Sequence, residues 1–437
     1  MSTVAILSTR LYGQDGVSVE ARKWEWAYRS LGCQIALIAG ELGATDTPHV
    51  VIPELAFTHP QIVSLNERAF GPPLPASERK VLRDEIEALA DKIERQLQAA
   101  MSRLGVDVLS VENALAIPMN LPLGLALQRL IAGGQRTIAR HHDFYWERER
   151  FHHHNVEWLL QAAFPPSQGP IRHVTINDQA RRELNRKRGL DAIWMPNAFD
   201  FSHAECVDDY NGELRKDLGI GSEQKIFLQP TRFVPRKGIH RAVELVARLR
   251  VDYGLDGVLV VTGPAGDEGY DYEQKVLAEA AQAGVKVICA AEGVSFVRGA
   301  SGGRKRYSMG DAYVYADLVT FPSDLEGFGN PVIEAAMYKR PLFVNRYPVL
   351  DDILMLAKDY FDFIIIDGDV TTAAVARTYK VLTDPVAREN MVYGNFVTAR
   401  RHFLVERLIQ RLQDLLGSLR QAQPGRSATE IEDIRVR

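Results

Sequence analysis

The residue types and spacings best suited to chemistry lie in Phe321-Pro322-Ser323-Asp324-Leu325-Glu326-Gly327-Phe328-Gly329-Asn330-Pro331-Val332-Ile333-Glu334-Ala335-Ala336. An apolar run leads in and a helical period follows, so the stretch reads as a strand-to-helix connection. Asn330 suits an N-cap and Pro331 the first helical position, while Gly327 and Gly329 let the backbone turn tightly and come close to a ligand. The N–H groups at such a helix start carry about half a positive charge and can face an anion. Glu326 and Glu334 are separated by seven residues and can reach into one cleft at different depths. Carboxylates there would accept hydrogen bonds from a hydroxyl-rich ligand. The plain alternative is a pair of solvated charges beside an ordinary capped turn.

Two further segments could complete such a site. Pro230-Thr231-Arg232-Phe233-Val234-Pro235-Arg236-Lys237-Gly238-Ile239 follows an apolar strand and opens a helix. Arg232 and Lys237 would set two fixed cations against a diphosphate, where negative charge builds as a leaving group departs; the bland reading is a basic surface loop, and Arg236 is given no role. Thr137-Ile138-Ala139-Arg140-His141-His142-Asp143-Phe144-Tyr145-Trp146-Glu147-Arg148 ends another strand in polar and aromatic groups, where a lining of a cleft is expected. His152, His153 and His154 are consecutive and cannot all point one way, which argues against a metal cluster nearby.

Alternating strand and helix patterns must position these residues. Val4 to Ser8, Gln34 to Ala39 and Val106 to Val111 read as strands of the first half. Lys225 to Gln229, Val258 to Thr262, Lys286 to Cys289, Leu318 to Pro322, Leu342 to Asn345 and Phe363 to Asp367 read as strands of the second. Both halves open with strand, loop, helix, strand, so the fold class is α/β, with two Rossmann-like domains facing across a cleft. The predicted domains are 1–195 and 196–394, each Rossmann-like, and 395–437 as a C-terminal helix packing back on the N-terminal domain, followed by a polar tail. A turn at Pro196-Asn197 marks the hinge, and Asn395 to Leu419 reads as one amphipathic helix.

Composition narrows the functional classes. A net charge of -4 provides no global basic field, which speaks against nucleic acid as the main partner. No apolar run reaches about 18 residues, so any membrane contact would be peripheral. The N-terminus reads as a buried strand rather than a leader. Three scattered cysteines, Cys33, Cys206 and Cys289, suit a reducing, cytoplasmic location. Self-association into a homo-oligomer is left open by the sequence.

The segment from Glu326 to Glu334 resembles the E-x7-E signature of the retaining glycosyltransferase family four. In that family the first Glu contacts the transferred sugar, the second the ribose, and the intervening backbone the sugar and phosphate. The resemblance assigns these parts to Glu326, Glu334 and the stretch Phe328, Gly329, Asn330. Family members carry an Arg and a Lys-Gly spaced as Arg232 and Lys237-Gly238 and use both on the diphosphate. Thr137 to Arg148 is similar to the family's His-Asp segment; aligning its Asp with Asp143 selects His142, rather than His141, as the His that approaches the donor sugar. Gly13-Gln14-Asp15-Gly16-Val17 resembles the Gly-rich first loop, with Asp15 in place of one Gly, and places Gly13 and Gly16 near the substrates. His173 to Asp178 and Val261-Thr262-Gly263-Pro264 are further family-like marks, with Gly263 in a binding loop. The resemblance implies a retaining hexosyl transfer from a nucleotide diphosphate sugar to an acceptor hydroxyl, with the acceptor bound mainly by 1–195 and the nucleotide sugar by 196–394, and with no metal and no cofactor required. Thr262 to Glu268 and the His-His-Asp-Phe-Tyr-Trp stretch look like members that build small glycosides or compatible solutes.

Other readings carry less of the sequence. Asp367-Gly368-Asp369 is a D-x-D, but it lies in a domain already supplied with Arg232 and Lys237, so a surface turn fits better. Arg181, Arg182, Arg186, Lys187 and Arg188 read as a solvated helix face rather than a membrane or phosphate site. A sugar-nucleotide epimerase, a phosphorylase or a non-catalytic sugar-nucleotide binding protein would share the architecture. A dehydrogenase fits poorly, since neither opening loop has G-x-G-x-x-G followed by a ribose-binding acid.

Overall fold

Parallel strands buried on both faces need helices on each side, and this chain builds that arrangement twice. The computed structural model describes residues 2–421 apart from Gln14, His203, Glu205, residues 265–268 and Asp359, and not the side chains of Ser301, Arg420 and Gln421. Part of the Thr262–Glu268 loop and the polar tail beyond 421 therefore lie outside the described residues. The chain divides into a unit of Met1–Pro196 with the stretch from Glu406, and a unit of Asn197–Val405.

The first unit carries one parallel sheet of β1 (Thr3–Leu11), β2 (Gln34–Leu42), β3 (His49–Val51), β4 (Val108–Glu112), β5 (Thr137–His141), β6 (Ile171–Thr175) and β7 (Ala192–Trp194). Their order is β3-β2-β1-β4-β5-β6-β7. The second unit has β8 (Lys225–Gln229), β9 (Gly257–Val261), β10 (Lys286–Cys289), a small sheet of β11 (Val294–Ser295), β12 (Gly299–Ser301) and β13 (Arg304–Ser308), then β14 (Leu318–Phe321), β15 (Leu342–Asn345) and β16 (Ile364–Ile366). Its main sheet runs β10-β9-β8-β14-β15-β16. In both sheets the strand order reverses beside the opening strand, between β1 and β4 and between β8 and β14. In open α/β sheets the strand C-termini beside such a reversal are the usual ligand position.

The helices that follow β1 and β8 seat the opening loops. Helix Gly16–Ser30 buries Ala21, Trp24, Ala27 and Tyr28, and helix Ile239–Tyr253 buries Ala242, Val243, Leu245, Val246 and Leu249. Gly254 ends the second helix at φ 67°, which only glycine adopts without strain. Among the described residues no helix is long and apolar enough to cross a membrane.

Two helices stand where the pattern between Asn395 and Leu419 reads as one. Pro385–Phe403 belongs to the second unit and Glu406–Gln421 to the first. The break has a local cause: Leu404 turns extended and pairs with Phe199, whose N–H donates to the Phe403 carbonyl at 2.8 Å while its carbonyl accepts from Val405 N–H at 2.9 Å. A backbone ladder at that point cannot coexist with helical bonding. Beyond it Leu408, Leu412 and Leu415 are buried in the first unit, where their helix packs on Gly16–Ser30.

The first unit also buries a histidine pair. His141 Nε2 lies 3.0 Å from His173 Nδ1, and His173 Nε2 lies 3.1 Å from the Pro166 carbonyl. A carbonyl only accepts, so His173 carries its proton on Nε2 and its Nδ1 accepts from His141. Burial pushes His173 down to about 4 and holds His141 well below the usual imidazole value. Because the folded values are depressed, the pair costs nothing above pH 6.5, the unfolded value; as pH falls from there toward 4, the unfolded chain takes up protons that the folded one refuses, and stability declines. At roughly 1.4 kcal/mol per pH unit, His173 alone should remove about 2 kcal/mol between pH 6.5 and 5. Urea midpoints measured at those pH values should lie closer together in His173→Gln, in which only His141 remains of the pair, and an equally steep decline in that variant would refute the assignment.

Candidate active site

In the second unit the loops after β8 and β14 meet at the point where strand order reverses. The first contains the short turn Pro235–Lys237, ended by Gly238 at φ 60°. A Cβ on Gly238 would lie 2.2 Å from the Pro322 carbonyl at the end of β14, so the Lys-Gly pair is what lets this loop press against the neighbouring strand. Asp324 N–H donates to the Arg236 carbonyl at 2.8 Å, tying the loops by backbone. Arg241 adds a clamp, reaching Asp324 Oδ1 at 2.7 Å, the Pro322 carbonyl at 3.0 Å and the Gly368 carbonyl at 2.7 Å.

This scaffold brings Lys237 Nζ to 2.6 Å from Glu326 Oε1, with the two side chains only 12% and 10% exposed. Arg236 Nη1 lies 3.7 Å from Glu326 Oε2, a neighbour that motif spacing did not single out. The ammonium also sits 5.6 Å from the centre of the Phe321 ring. Burial pulls the Lys237 value down, and the Glu326 carboxylate opposes that pull. Arg232 enters the same loop under Gly263, where a Cβ would come within 2.7 Å of the Arg232 nitrogen; Gly263 N–H donates to the Thr231 carbonyl at 3.0 Å. Gly263 therefore allows the loop after β9 to lie directly on the backbone of Arg232.

The turn beyond Glu326 differs in detail from the expected cap. Gly329, at φ 96°, precedes the helix Asn330–Met337, so it and not Asn330 occupies the cap position. The Asn330 side chain is used elsewhere, its Oδ1 accepting from Asn197 Nδ2 at 2.9 Å. The Phe328 ring turns inward, 4% exposed, against Phe199 and Phe403, and its carbonyl accepts from Tyr347 Oη at 3.0 Å. Of Phe328 only backbone is left for a ligand. Glu334 receives the Tyr313 hydroxyl at 2.7 Å; nothing in the sequence distinguished Tyr313 from the apolar face of its helix.

In the first unit Asp15, the departure from the Gly-rich pattern, caps the helix Gly16–Ser30: its Oδ1 accepts from Ser18 N–H at 3.0 Å. Gly13 N–H donates to Ser18 Oγ at 3.1 Å, and Gly16 is the first helical residue. The spacing of Asp15 and Ser18 carried that signal. At the ends of β4 and β5, His142 Nε2 lies 2.9 Å from Glu112 Oε2 and its N–H donates to Asn113 Oδ1 at 3.0 Å. Asn113 Nδ2 in turn donates to Asp143 Oδ1 at 3.0 Å, and Arg148 pairs with the other Asp143 oxygen. Glu112 and Asn113 went unnoticed in the sequence because the two strands that juxtapose them with His142 are far apart along the chain.

The competing motifs are accounted for locally. Gly368 N–H donates to Asn345 Oδ1 at 2.8 Å, which anchors the D-x-D as a turn with Asp367 and Asp369 exposed. Asp178 pairs with Arg181 and Arg182, Glu183 pairs with Arg186, and Arg188 donates to the Leu160 and Phe164 carbonyls. Among the described residues no three His, Cys, Asp or Glu side chains gather as a metal site would.

Known proteins align with this picture. Residues 211–396 match the family described as glycosyl transferases, group 1, a span that holds Arg232, Lys237, Gly263, Glu326 and Glu334. A mannosylglucosylglycerate synthase of Petrotoga mobilis is 32% identical over 365 residues, covering 79% of this chain and 83% of that protein. One of Thermotoga maritima is 28% identical over 442 residues, covering 95% and 98%. Among solved structures, HepE of Anabaena in complex with UDP and glucose superposes with a TM-score of 0.65 at 13% identity, covering 96% of this chain and all of that one. Sucrose-phosphate synthase of Thermosynechococcus elongatus gives 0.65 at 14% identity over 97% and 100%. At such identities the two structures speak to the fold alone, an α/β arrangement of two Rossmann-like domains. Sequence identity above 30% along most of a relative, together with the family match over both cation and carboxylate loops, makes this chain a member of the group 1 glycosyltransferases, enzymes that pass a sugar from a nucleotide sugar to an acceptor.

Proposed function

We propose that the chain transfers a hexosyl group with retention of anomeric configuration and without a metal, onto a small carboxylate-bearing glycoside of the kind used as a compatible solute. The Lys237–Glu326 contact of 2.6 Å carries this reading. An ammonium and a carboxylate, both nearly buried at the reversal of strand order, fit a diphosphate and a sugar hydroxyl better than they serve stability, since a buried pair is on balance close to neutral. In this reading a bound donor inserts between them. Lys237 and Arg232 turn to the diphosphate and stabilise the charge that develops as it leaves, Glu326 accepts from the sugar, and Glu334, steadied by Tyr313, accepts from the ribose. The backbone of Phe328, Gly329 and Asn330 faces the sugar and phosphate. The first unit, through the Gly13–Gly16 loop, Asp143 and His142, receives the acceptor and the sugar edge of the donor. The relatives' name describes a mannosylated glucosylglycerate, which favours a mannosyl donor and a glucosylglycerate acceptor. A cytoplasmic location suits the three free cysteines.

Thermal-shift screening with UDP, GDP and their sugars tests the donor: one base should raise the melting temperature, since a ligand at 100 times its Kd adds about 2.7 kcal/mol. With that donor and glucosylglycerate, NMR of the product should show the donor's anomeric configuration, and EDTA should leave the rate unchanged. An inverted product, or activity abolished by EDTA and restored by a metal, would overturn the mechanism. Sugar release that depends on free phosphate would mark the phosphorylase alternative.

A further inference from the structure

Glu112 is the last residue of β4 and pairs in register with Arg140 on β5. Its side chain is fully buried, 0% exposed, at the edge of a cluster of charges beneath His142. Arg140, itself 1% exposed and 4.6 Å from the centre of the Trp24 ring, sends Nη2 to Glu20 at 3.0 Å, while its Nη1 is 3.6 Å from Glu112. Lys23 reinforces Glu20 at 2.5 Å. Glu20 therefore has the closer claim on the guanidinium. Glu112 Oε1 has no hydrogen-bond partner among the described residues, and Oε2 makes its short contact, 2.9 Å, with His142 Nε2.

A buried carboxylate with one unpartnered oxygen costs stability, and a hydrophobic residue would fill the position more favourably. Such groups gather where a neighbouring side chain has to be oriented. We infer that Glu112 is the positioning residue of His142: it accepts the hydrogen bond of Nε2–H, fixes the ring, and leaves Nδ1 as the nitrogen offered to the sugar. The inference rests on the proposed role of His142 at the donor. A carboxylate beside a guanidinium only accepts, so the neutral imidazole is held with its hydrogen on Nε2. The backbone is secured separately, with His142 N–H on Asn113 Oδ1 and the Ser8 hydroxyl on the Glu112 carbonyl at 3.1 Å. Both ends of the histidine are thereby set before any ligand arrives, the arrangement that precise placement of a polar group requires.

The tautomer is read by long-range proton–nitrogen correlation on the whole enzyme labelled with nitrogen-15 histidine, at alkaline pH, with the His142 signals identified by their loss in His142→Ala. The expected spectrum has the proton on Nε2; a proton on Nδ1 overturns the inference. Glu112→Gln can donate as well as accept, and should mix the tautomers and lower kcat about 10- to 100-fold with KM for the donor nearly unchanged. In the His142→Ala background the same change should cost nothing further, whereas losses that multiply would assign Glu112 to the fold alone. The wild-type spectrum decides the matter even if Glu112→Gln folds poorly. Full activity in His142→Ala would remove His142 from the reaction without touching the tautomer result.

Discussion

Lys237→Ala should turn over about 100- to 1000-fold more slowly than the wild type, and Arg232→Ala should fall in the same range, the scale for deleting one preorganised charge from a transition state. The expectation follows from where the ammonium is held. It lies between the Glu326 carboxylate at 2.6 Å and the Phe321 ring at 5.6 Å, in a side chain 12% exposed, so water cannot replace it once the donor is seated. Removing it leaves Glu326 with Arg236 Nη1 at 3.7 Å, a separation too long for a hydrogen bond. Arg is not an equivalent substitute, because a planar fork does not fit a slot shaped for a point charge. Steady-state kcat with the donor found by thermal shift is the measurement, and circular dichroism confirms that the variant is folded. Near-normal turnover in both variants would remove the leaving-group mechanism.

Gly329→Ala should destabilise the second unit by about 2 to 5 kcal/mol, combining left-handed strain of about 1 to 2 kcal/mol with an overpacking cost of about 1 to 3. The residue sits at φ 96°, and a Cβ there would lie 2.0 Å from Tyr347 Oη and 3.2 Å from the Phe321 ring. Either the turn opens or Tyr347 gives up its hydrogen bond to the Phe328 carbonyl; in both cases the backbone proposed to face the donor shifts, and activity should fall with stability. Tyr347→Phe removes the clashing oxygen, so the double variant should regain part of the lost melting temperature but not the part owed to φ. A Gly329→Ala protein with unaltered melting temperature and kcat would show that the turn tolerates a side chain and that its shape is not demanded by the site.

Much of the second unit was readable from local pattern. The strands Lys225–Gln229 and Leu342–Asn345 fall where continuous apolar runs placed them, because a strand buried on both faces has no polar alternation to blur its limits. Glu326, Lys237 and Gly329 stood out because a tight strand-to-helix turn places its glycines and charges at fixed steps from a strand end. Asn330 was misread as the cap because residue preferences favour Asn there, while the close approach of Tyr347, set by another strand, demands the left-handed turn one residue earlier. The single helix expected across residue 404 failed for a similar reason: its period is unbroken, and only the distant strand-like contact of Phe199 interrupts it.

Side-chain type and short-range spacing were thus enough to establish two α/β halves and to single out two acids and two cations as candidates, since those features depend on the period of the chain and on bonds formed within a few residues. The union of Lys237 with Glu326, the hold of Tyr313 on Glu334 and the buried Glu112 beneath His142 depend on which strands lie side by side. Adjacency in a parallel sheet is created by crossovers of dozens of residues. Linear order therefore carries no record of these contacts, and only the folded chain brings the charges near enough for Coulomb's law and hydrogen bonding to act.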